Sequence, residues 1–261
     1  MQAMDEHAKP CGWTLVSLRP KGQHAGWRVA AAALGGRLVA LPPWRLRRIT
    51  GADSVSALRR ALQAPAVVFT SPAAVTAAVS LGHRFAAEPF RTWLCVGEGT
   101  RRALLAAGAR QVDAPARMDS EGLLALPALA EVGGREIGLV TAPGGRGLLA
   151  AALQARGAQV IRADIYARVP LQLAPRALAR LSHSPLPWVL ALSSGEALQR
   201  VWDQLTPAWR VRWQQRMGVV AASERLQAQA LVLGLTRVER AAGPTAAQLL
   251  AACPAVLRKA D

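Results

Sequence analysis

The sequence predicts an α/β protein built on parallel β-sheets. Short, strongly apolar runs that suit buried strands alternate along the chain with helical patterns. Tight turns, many of them at glycine, separate these segments. Hydrophobic residues make up 52% of the 261 residues, so one large domain or two ordinary ones can each have a proper core. Strands that alternate with helices form parallel sheets covered on both faces, which defines the α/β class.

The first half of the chain shows this alternation from its start. The apolar run TLVSL predicts a strand at 14–18, and the pattern of 24–34 predicts a helix that Gly35 and Gly36 end. Further apolar runs predict strands at 37–42, 66–70, 92–96 and 110–114, with a helix at 99–108.

The second half repeats the alternation. It predicts strands at 135–141, 159–168, 187–193, 217–222 and 236–241, and helices at 145–156, 195–205, 223–233 and 245–252. The only tyrosine of the chain, Tyr166, falls near the end of the long strand 159–168, in an extended run that Pro170 closes.

The two halves also resemble each other in sequence. EGTRRALLAAGARQV at 98–112 aligns without a gap to ERLQAQALVLGLTRV at 224–238, and FTSPAAV at 69–75 aligns to LSSGEAL at 192–198. Two similar α/β halves, divided near residue 130, explain this echo. Chance similarity between Ala/Leu-rich helices is the alternative.

The net charge of +16 favours a polyanionic partner, such as nucleic acid, an anionic membrane or a small poly-acid. Lysine occurs only at 9, 21 and 259, so arginine carries nearly all of the excess, and a compositional bias explains it equally well. The tryptophans and arginines of AWRVRWQQR, 208–216, fit a surface helix with two aromatics turned to the core better than a nucleic-acid site.

The sequence lacks most of the motifs that indicate export, membrane insertion or a bound cofactor. No apolar run reaches the roughly 18 residues that span a membrane, and the polar N-terminus is not typical of a signal or transit peptide. Cys11, Cys95 and Cys253 lie far apart, which predicts neither a disulfide framework nor a metal site and favours the cytoplasm. No metal-ligand spacing, dinucleotide fingerprint or phosphate loop is complete, so we expect neither a metal nor an organic cofactor.

Candidate binding residues follow the predicted strands, because ligands of open parallel sheets bind beyond the carboxyl ends of the strands. These turns offer hydroxyls, glycines and arginines at helix N-termini, where backbone N–H groups bind anions. Each hydroxyl alone is better explained as a helix cap. Together the turns predict an anion-binding site, with these residues: Arg19, Thr70, Ser71, Gly97, Thr100, Arg146, Ser193, Ser194 and Ser223.

Over nearly its whole length the chain resembles the uroporphyrinogen-III synthase family. The matching pieces, fairly specific in their order and spacing, are LRP 18–20, FTSPAAV 69–75, VGEGTRRALLAAG 96–108, SEGLLAL 120–126, GGRGLLAAALQARGAQV 144–160, IYARVP 165–170, LSSGEAL 192–198 and GPTAAQLL 243–250.

The resemblance implies two flavodoxin-like domains joined by a two-stranded linker. On this sequence it places a discontinuous domain at 1–41 with 171–261 and an inserted domain at 42–170, with linker prolines at 42, 43 and 170. We follow it over the simple division near residue 130.

The resemblance also implies the reaction. The family's substrate is hydroxymethylbilane, an open tetrapyrrole with eight carboxylates, which the enzyme dehydrates and cyclises with inversion of the last pyrrole ring, without metal or organic cofactor. Tyr166 matches a family tyrosine and is the candidate catalytic residue, and Thr100 matches the threonine of the VGxxT turn. Leu18 and Arg225 depart from the family pattern at positions often held by threonine, so the resemblance implies no threonine contact to a carboxylate there.

The sequence thus predicts a monomeric, cytoplasmic lyase that acts on a small poly-carboxylate and binds neither nucleic acid nor membrane. A non-catalytic two-domain binding protein for a small poly-anion is the alternative. A nucleotide-dependent enzyme is disfavoured by the missing phosphate fingerprints.

Overall fold

The structure, a computed structural model, describes residues 12–88, 90–117, 120–144 and 147–258. The chain divides into two compact units. Residues 1–45 and 170–261 form one, called here the split unit, and residues 46–169 form the other, the inserted unit. Each unit has a five-stranded parallel sheet with flanking helices, which confirms the predicted α/β class.

The strands are short, as the apolar runs predict. They are β1 (Trp13–Ser17), β2 (Gly36–Ala40), β3 (Trp44–Arg48), β4 (Ala66–Phe69), β5 (Thr92–Cys95), β6 (Gln111–Asp113), β7 (Glu136–Thr141), β8 (Gln159–Asp164), β9 (Tyr166–Pro170), β10 (Trp188–Leu192), β11 (Met217–Ala221) and β12 (Val238–Arg240).

Helices connect most of these strands. They are α1 (Ala25–Ala33), α2 (Ala52–Gln63), α3 (Pro72–Ser80), α4 (Glu98–Ala106), α5 (Ser120–Leu124), α6 (Leu148–Ala155), α7 (Pro175–Ser182), α8 (Gly195–Gln204), α9 (Pro207–Arg216), α10 (Glu224–Val232), α11 (Ala246–Ala251) and α12 (Cys253–Leu257). No helix in the described ranges is long and apolar enough to cross a membrane.

The sheet of the split unit has the order β12-β11-β10-β1-β2, and its strands pair in parallel. Counted along the chain within this unit, the order is 2-1-3-4-5 when read from β2, which is a common doubly wound arrangement. The strand order reverses between β1 and β10. A crevice for ligands is expected at the carboxyl ends of these two strands.

The sheet of the inserted unit has the order β6-β5-β4-β7-β8, also parallel. Its order reverses between β4 and β7. Buried side chains alternate between two clusters along these strands: Val67 and Phe69 belong to one cluster, while Ala66 and Val68 belong to the other. Successive residues of a strand point to opposite faces, so this sheet has a core on both sides, as continuous apolar runs predict.

The predicted strand 159–168 is in fact two strands, and Ile165 separates them. Up to Asp164 the first strand, β8, pairs with β7, whose last residue is Thr141. Ile165 donates a backbone hydrogen bond to the Thr141 carbonyl (3.2 Å), and its own carbonyl accepts from the Ile49 N–H (3.0 Å). From Tyr166 onward the chain pairs with β3 in a two-stranded sheet. The strand is interrupted because its partner β7 has ended.

The segment 208–216 lies entirely within helix α9, and its two tryptophans pack as the sequence predicted. Trp213 is fully buried, and Trp209 stacks on Trp188 with ring centroids 6.4 Å apart. Arg212 lies over the Trp209 ring at 5.1 Å and Arg216 over the Trp188 ring at 4.3 Å. These arginines cover indole faces within the split unit, so packing explains why the segment is rich in tryptophan and arginine.

Candidate functional site

The reversal point of the inserted unit holds a hydroxyl pair at the carboxyl ends of its two central strands. Thr70, directly after β4, donates through Oγ1 to Oγ1 of Thr141, the last residue of β7, at 2.8 Å. Its backbone N–H donates to the Val140 carbonyl at 3.2 Å, which extends the ladder by one residue. Thr70 was predicted as a binding residue, and it lies at the edge where a ligand of this fold is expected.

Ser71 follows at once and makes two contacts with its side chain. Its Oγ accepts the Ala74 N–H at 3.1 Å and so caps helix α3, whose first residue is Pro72. Serine at the cap and proline at the first helical position are the residues that fit a helix start. The same Oγ lies 2.8 Å from the hydroxyl oxygen of Tyr166. Ser71 therefore joins the N-terminus of α3 to the predicted catalytic residue.

Tyr166 is held firmly. It begins β9, it is 4% exposed, and its ring packs in the core cluster of the inserted unit beside residues such as Phe69 and Ile165. The phenol oxygen reaches Ser71, 95 positions away in the sequence. The hydroxyl is thus fixed at the carboxyl edge of the sheet, next to a helix N-terminus.

The third turn of the inserted unit follows β5. Gly97 precedes helix α4 in an extended conformation, and its carbonyl accepts the N–H groups of Thr100 and Arg101 at 3.0 Å each. A Cβ added to Gly99 would contact the Pro72 ring at 3.6 Å, which places the starts of α3 and α4 side by side. Thr100 was predicted to bind substrate, but its side chain is only 4% exposed. Arg146 lies outside the described residues.

In the split unit the strand order reverses between β1 and β10, and Ser17, Arg19 and His24 lie at or after the end of β1. Ser17 ends β1, and its Oγ lies 3.0 Å from Nδ1 of His24, which precedes α1. Arg19 reaches only the Gln23 amide oxygen, at 3.4 Å, with one terminal nitrogen. Its buried Nε, and Nε2 of His24, have no hydrogen-bond partner among the described residues.

Burial and charge set the protonation states of these two side chains. Burial, together with the charges of Arg28 and Arg19, lowers the pKa of His24 below its ordinary value, so this imidazole is neutral at pH 7. Burial also lowers the pKa of Arg19, but a guanidinium stays charged at neutral pH. His24 was not identified from the sequence, because a lone histidine without spaced partners carries no signal there.

The predicted serines of the split unit stand at two further helix starts. Ser194 caps α8 through the Ala197 N–H at 3.2 Å, and Ser223 caps α10 through the Leu226 N–H at 3.4 Å. Ser193, between β10 and Ser194, is partly exposed. The three hydroxyls follow the neighbouring strands β10 and β11, so they share one edge of this sheet.

A polar groove with a volume of about 560 Å³ lies between α8 and α10 in the split unit. Arg200 and Arg225 line it together with Glu196 and Asp203. The groove begins at the start of α8, where Gln229 donates to the Gly195 carbonyl at 3.0 Å. Arg225, the departure from the family pattern, therefore brings a cation to this edge of the sheet.

The predicted site residues thus fall into two groups, one in each unit. The inserted unit holds Thr70, Ser71, Gly97, Thr100 and Tyr166, and the split unit holds Arg19, Ser193, Ser194 and Ser223. Among the described residues no group of three or more His, Cys, Asp or Glu side chains could hold a metal ion. Hydroxyls, guanidinium groups and backbone N–H groups at helix starts predominate among the predicted site residues that the structure describes.

Doubly wound sheets with polar turns at the carboxyl ends of their central strands define an α/β protein of two similar units. Comparisons with known proteins narrow this class. The family profile described as uroporphyrinogen-III synthase HemD matches residues 27–251. The uroporphyrinogen-III synthase of Salmonella typhimurium is 31% identical over 243 residues, which cover 90% of this chain and 92% of that protein. The chain belongs to the uroporphyrinogen-III synthase family.

Two solved structures agree in fold. A mutant uroporphyrinogen III synthase from Thermus thermophilus superposes with a TM-score of 0.62 at 17% identity, covering 95% of this chain and 99% of that one. The uroporphyrinogen-III synthetase of Helicobacter pylori gives a TM-score of 0.61 at 11% identity and covers 94% and 99%. At such identities the likeness concerns the fold alone.

Proposed function

We propose that this protein is a uroporphyrinogen-III synthase, a lyase that converts hydroxymethylbilane to uroporphyrinogen III in tetrapyrrole biosynthesis. The observation that carries this function is the family match over residues 27–251, supported by the 31% identical synthase that aligns with 90% of the chain. The reaction removes the terminal hydroxyl of the bilane as water, inverts the last pyrrole ring and closes the macrocycle. The family uses no metal or organic cofactor.

The substrate carries eight carboxylates, and we propose that the strand-end turns bind them. Ser71, Ser194 and Ser223 each stand at a helix start, where free N–H groups and the positive end of the helix favour anions. Arg19 adds a guanidinium whose side-chain hydrogen bond goes to an amide rather than to a carboxylate. The net charge of +16 draws a poly-acid to the protein over distances of about one Debye length, roughly 8 Å at physiological salt.

Catalysis then consists mainly of holding the flexible bilane in the conformation from which the inverted ring closure is faster than direct closure. Tyr166 is the proposed proton donor to the departing hydroxyl. Its support is the fixed position of the phenol at the carboxyl edge of the sheet, bonded to Ser71 at 2.8 Å. We propose that Thr100, whose N–H donates to the Gly97 carbonyl at 3.0 Å, acts by shaping the start of α4, and Gly97 by offering its neighbouring N–H groups.

We further propose that the two compact units are the two domains of the enzyme, with the chain crossing between them at the linker segments predicted near 41–43 and 168–171. The boundaries 45/46 and 169/170 of the compact units support this assignment. A monomer in the cytoplasm is proposed as well. The buried free thiols of Cys95 and Cys253 fit a reducing compartment.

The test supplies hydroxymethylbilane, made in situ from its precursor, and identifies the porphyrin isomers after oxidation. The expected product is the type III isomer, in excess over the type I isomer that direct closure gives without the enzyme. Only direct closure, at the rate of a protein-free control, would refute the function. Binding of the bilane without turnover would instead support the non-catalytic alternative.

A further inference from the structure

Given the proposed function, we propose that Ser71 is a positioning residue that directs the phenol hydrogen of Tyr166 toward the substrate and stabilises the phenolate left behind. The observation is one chain of hydrogen bonds. The Ala74 N–H donates to Ser71 Oγ at 3.1 Å, and Ser71 Oγ lies 2.8 Å from Tyr166 Oη. The chain thus starts at the N-terminus of α3 and ends at the phenol.

The direction of this chain follows from counting hydrogens. Each of the two hydroxyls has one hydrogen and two lone pairs. If Tyr166 donates to Ser71, the phenol has no hydrogen left for the substrate. If Ser71 donates to Tyr166, the phenol hydrogen is free to bond the departing hydroxyl. A substrate oxygen that accepts from Tyr166 therefore selects the second direction, in which every donor of the chain is used.

The surroundings of Ser71 favour this direction once charge develops. The Ala74 N–H donates to Ser71 Oγ and so polarises the serine hydroxyl. The hydroxyl becomes a stronger donor, because successive hydrogen bonds strengthen one another. Ser71 also stands at the positive end of the nine-residue helix α3. A phenolate at Tyr166 would thus receive a short charge-assisted hydrogen bond in a site that excludes most water.

The proton and electron balance is closed by the reaction itself. The carbon–oxygen bond of the substrate breaks with its electron pair going to oxygen, the Tyr166 proton joins that oxygen, and water leaves. The pyrrole nitrogen supplies electrons to give the cationic azafulvene, while Tyr166 becomes a phenolate bonded to Ser71. The azafulvene carbon then bonds to the substituted α-carbon of the last pyrrole, and the bond from that carbon to its original methylene bridge breaks. The released methylene carbon bonds to the free α-carbon of the same ring, which inverts the ring, and the proton lost there as the pyrrole regains aromaticity restores the phenol.

A double-mutant cycle tests the proposal. Ser71→Ala should lower kcat about 10-fold with KM changed less than about twofold. The N–H groups at the start of α3 that are proposed to bind carboxylate remain in the variant, and the lost bond to a charged oxygen matters mainly in the transition state. In the Tyr166→Phe background the same change should have no further effect on kcat, since Ser71 acts through the phenol. Ser71→Thr, which keeps a hydroxyl and a helix cap, should recover most of the rate.

A matched control separates catalysis from helix capping. Thr206, in the split unit, caps α9 through the Trp209 N–H at 3.4 Å. Thr206→Ala should lower the thermal midpoint by the loss of one cap, less than Ser71→Ala, which also loses the bond to Tyr166, and should leave kcat unchanged. The proposal is wrong if Ser71→Ala reduces kcat equally in the parent protein and in the Tyr166→Phe background, or if it raises KM alone.

The proposed function and this inference fail in different ways. If the parent protein forms no type III isomer, the function is wrong and no variant needs to be measured. If the parent forms the type III isomer and the effects of the two substitutions are additive, the function stands and the role of Ser71 is refuted.

Discussion

The turns after β4 and β10 occupy corresponding places in two similar sheets, yet they differ in what surrounds them. Each follows a central strand and begins a helix with a serine whose Oγ accepts the N–H three residues on, at 3.1 Å for Ser71 and 3.2 Å for Ser194. After Ser71 the helix starts with Pro72, and the serine meets the phenol of Tyr166. After Ser194 it starts with Gly195, packed against Gln229.

This difference shows how one architecture can supply two roles. The serine cap is a property of the repeated strand–turn–helix and is present in both units. The phenol comes from β9, which belongs to neither five-stranded sheet, so it reaches only one of the caps. The other cap opens instead onto a groove lined by Arg200 and Arg225. We therefore expect chemistry to depend on the turn after β4 and carboxylate binding to depend more on the split unit.

The largest effect that we expect is on the free energy of unfolding. It is tested by replacing one glycine in the sheet of each unit, Gly138 and Gly218, by alanine. A Cβ added to Gly138 in β7 would lie 2.0 Å from the Ala61 carbonyl oxygen, part of the backbone of α2. At Gly218 in β11 the same atom would meet a methyl carbon of Val256, also at 2.0 Å. Backbone cannot move aside as a side chain can, so Gly138→Ala should cost about 3 kcal/mol and Gly218→Ala about half as much.

Chemical denaturation monitored separately for the two units would measure both costs. Equal losses, or a larger loss for Gly218→Ala, would show that α2 shifts as easily as a valine side chain. The close approach of α2 to the sheet would then not distinguish Gly138 from Gly218.

The next effect concerns the rate. Tyr166→Phe should lower kcat by about 10-fold to 100-fold with little change in KM, at or below the usual range for acid catalysis, because an azafulvene forms readily without help. Its thermal midpoint should fall slightly, since one buried hydrogen bond to Ser71, worth about 1 kcal/mol, is lost. An unchanged kcat with that small loss of stability would remove the phenol from the mechanism and make the two serine turns equivalent.

A smaller effect is expected from the split unit. Arg19→Ala should raise KM about fivefold and change kcat less, because carboxylate contacts persist from the ground state to the transition state. The KM of the parent should rise with added salt, and that dependence should weaken in the variant. Arg180→Ala, which removes an exposed charge from the last turn of α7, is the control and should leave both constants unchanged. Equal effects of the two variants would indicate that only net charge matters.

The smallest effect that we expect is on the pH dependence of stability, and it concerns one histidine in each unit, His24 and His83. Burial and two arginines, Arg28 and Arg19, lower the pKa of His24, whereas at His83 burial and Arg91 lower the pKa and Glu88 raises it. When the pKa of a histidine is lower in the folded state, the unfolded chain binds the proton more readily. The contribution of the neutral histidine to the free energy of unfolding is therefore fully present above about pH 6.5 and decreases as the pH falls below that value. Between about pH 7 and pH 5 the thermal midpoint of the parent should therefore decrease.

Replacing each histidine by asparagine assigns that decrease. The pH dependence should become weaker in His24→Asn than in His83→Asn, because every group that acts on His24 lowers its pKa, whereas Glu88 opposes burial and Arg91 at His83. The reverse order would show that Glu88 does not support the charged form of His83.

The sequence predicted the class of the fold well because the signal is local. Buried strands such as β4 and β10 are continuous apolar runs, and most of the predicted strands and helices agree with the structure within two residues at each end. Strand β3 was missed, since WRLRR has the composition of an exposed segment rather than a buried one. Helices α2 and α7 lie in stretches that were not assigned.

The contacts of the candidate site were harder to predict, because they join distant parts of the chain. Thr70 and Ser71 were identified by their place after a strand, but nothing in the sequence pairs Ser71 with Tyr166. The interruption at Ile165 also depends on where a neighbouring strand ends, which no pattern within 159–168 reveals. Thr100 fits the family motif, yet only the structure indicates that its side chain is buried.

The interleaved order of the two sheets has a consequence for the way the chain acquires its structure. All strands of the inserted unit's sheet lie between residues 66 and 164, so they can pair as soon as that stretch has left the ribosome. Strand β1 must wait for β10, because Thr14 pairs with Trp188, 174 positions later. Loop closure over such a span is slow, so we expect the inserted unit to fold first during synthesis and the N-terminal strands last, exposed meanwhile to chaperones and proteases.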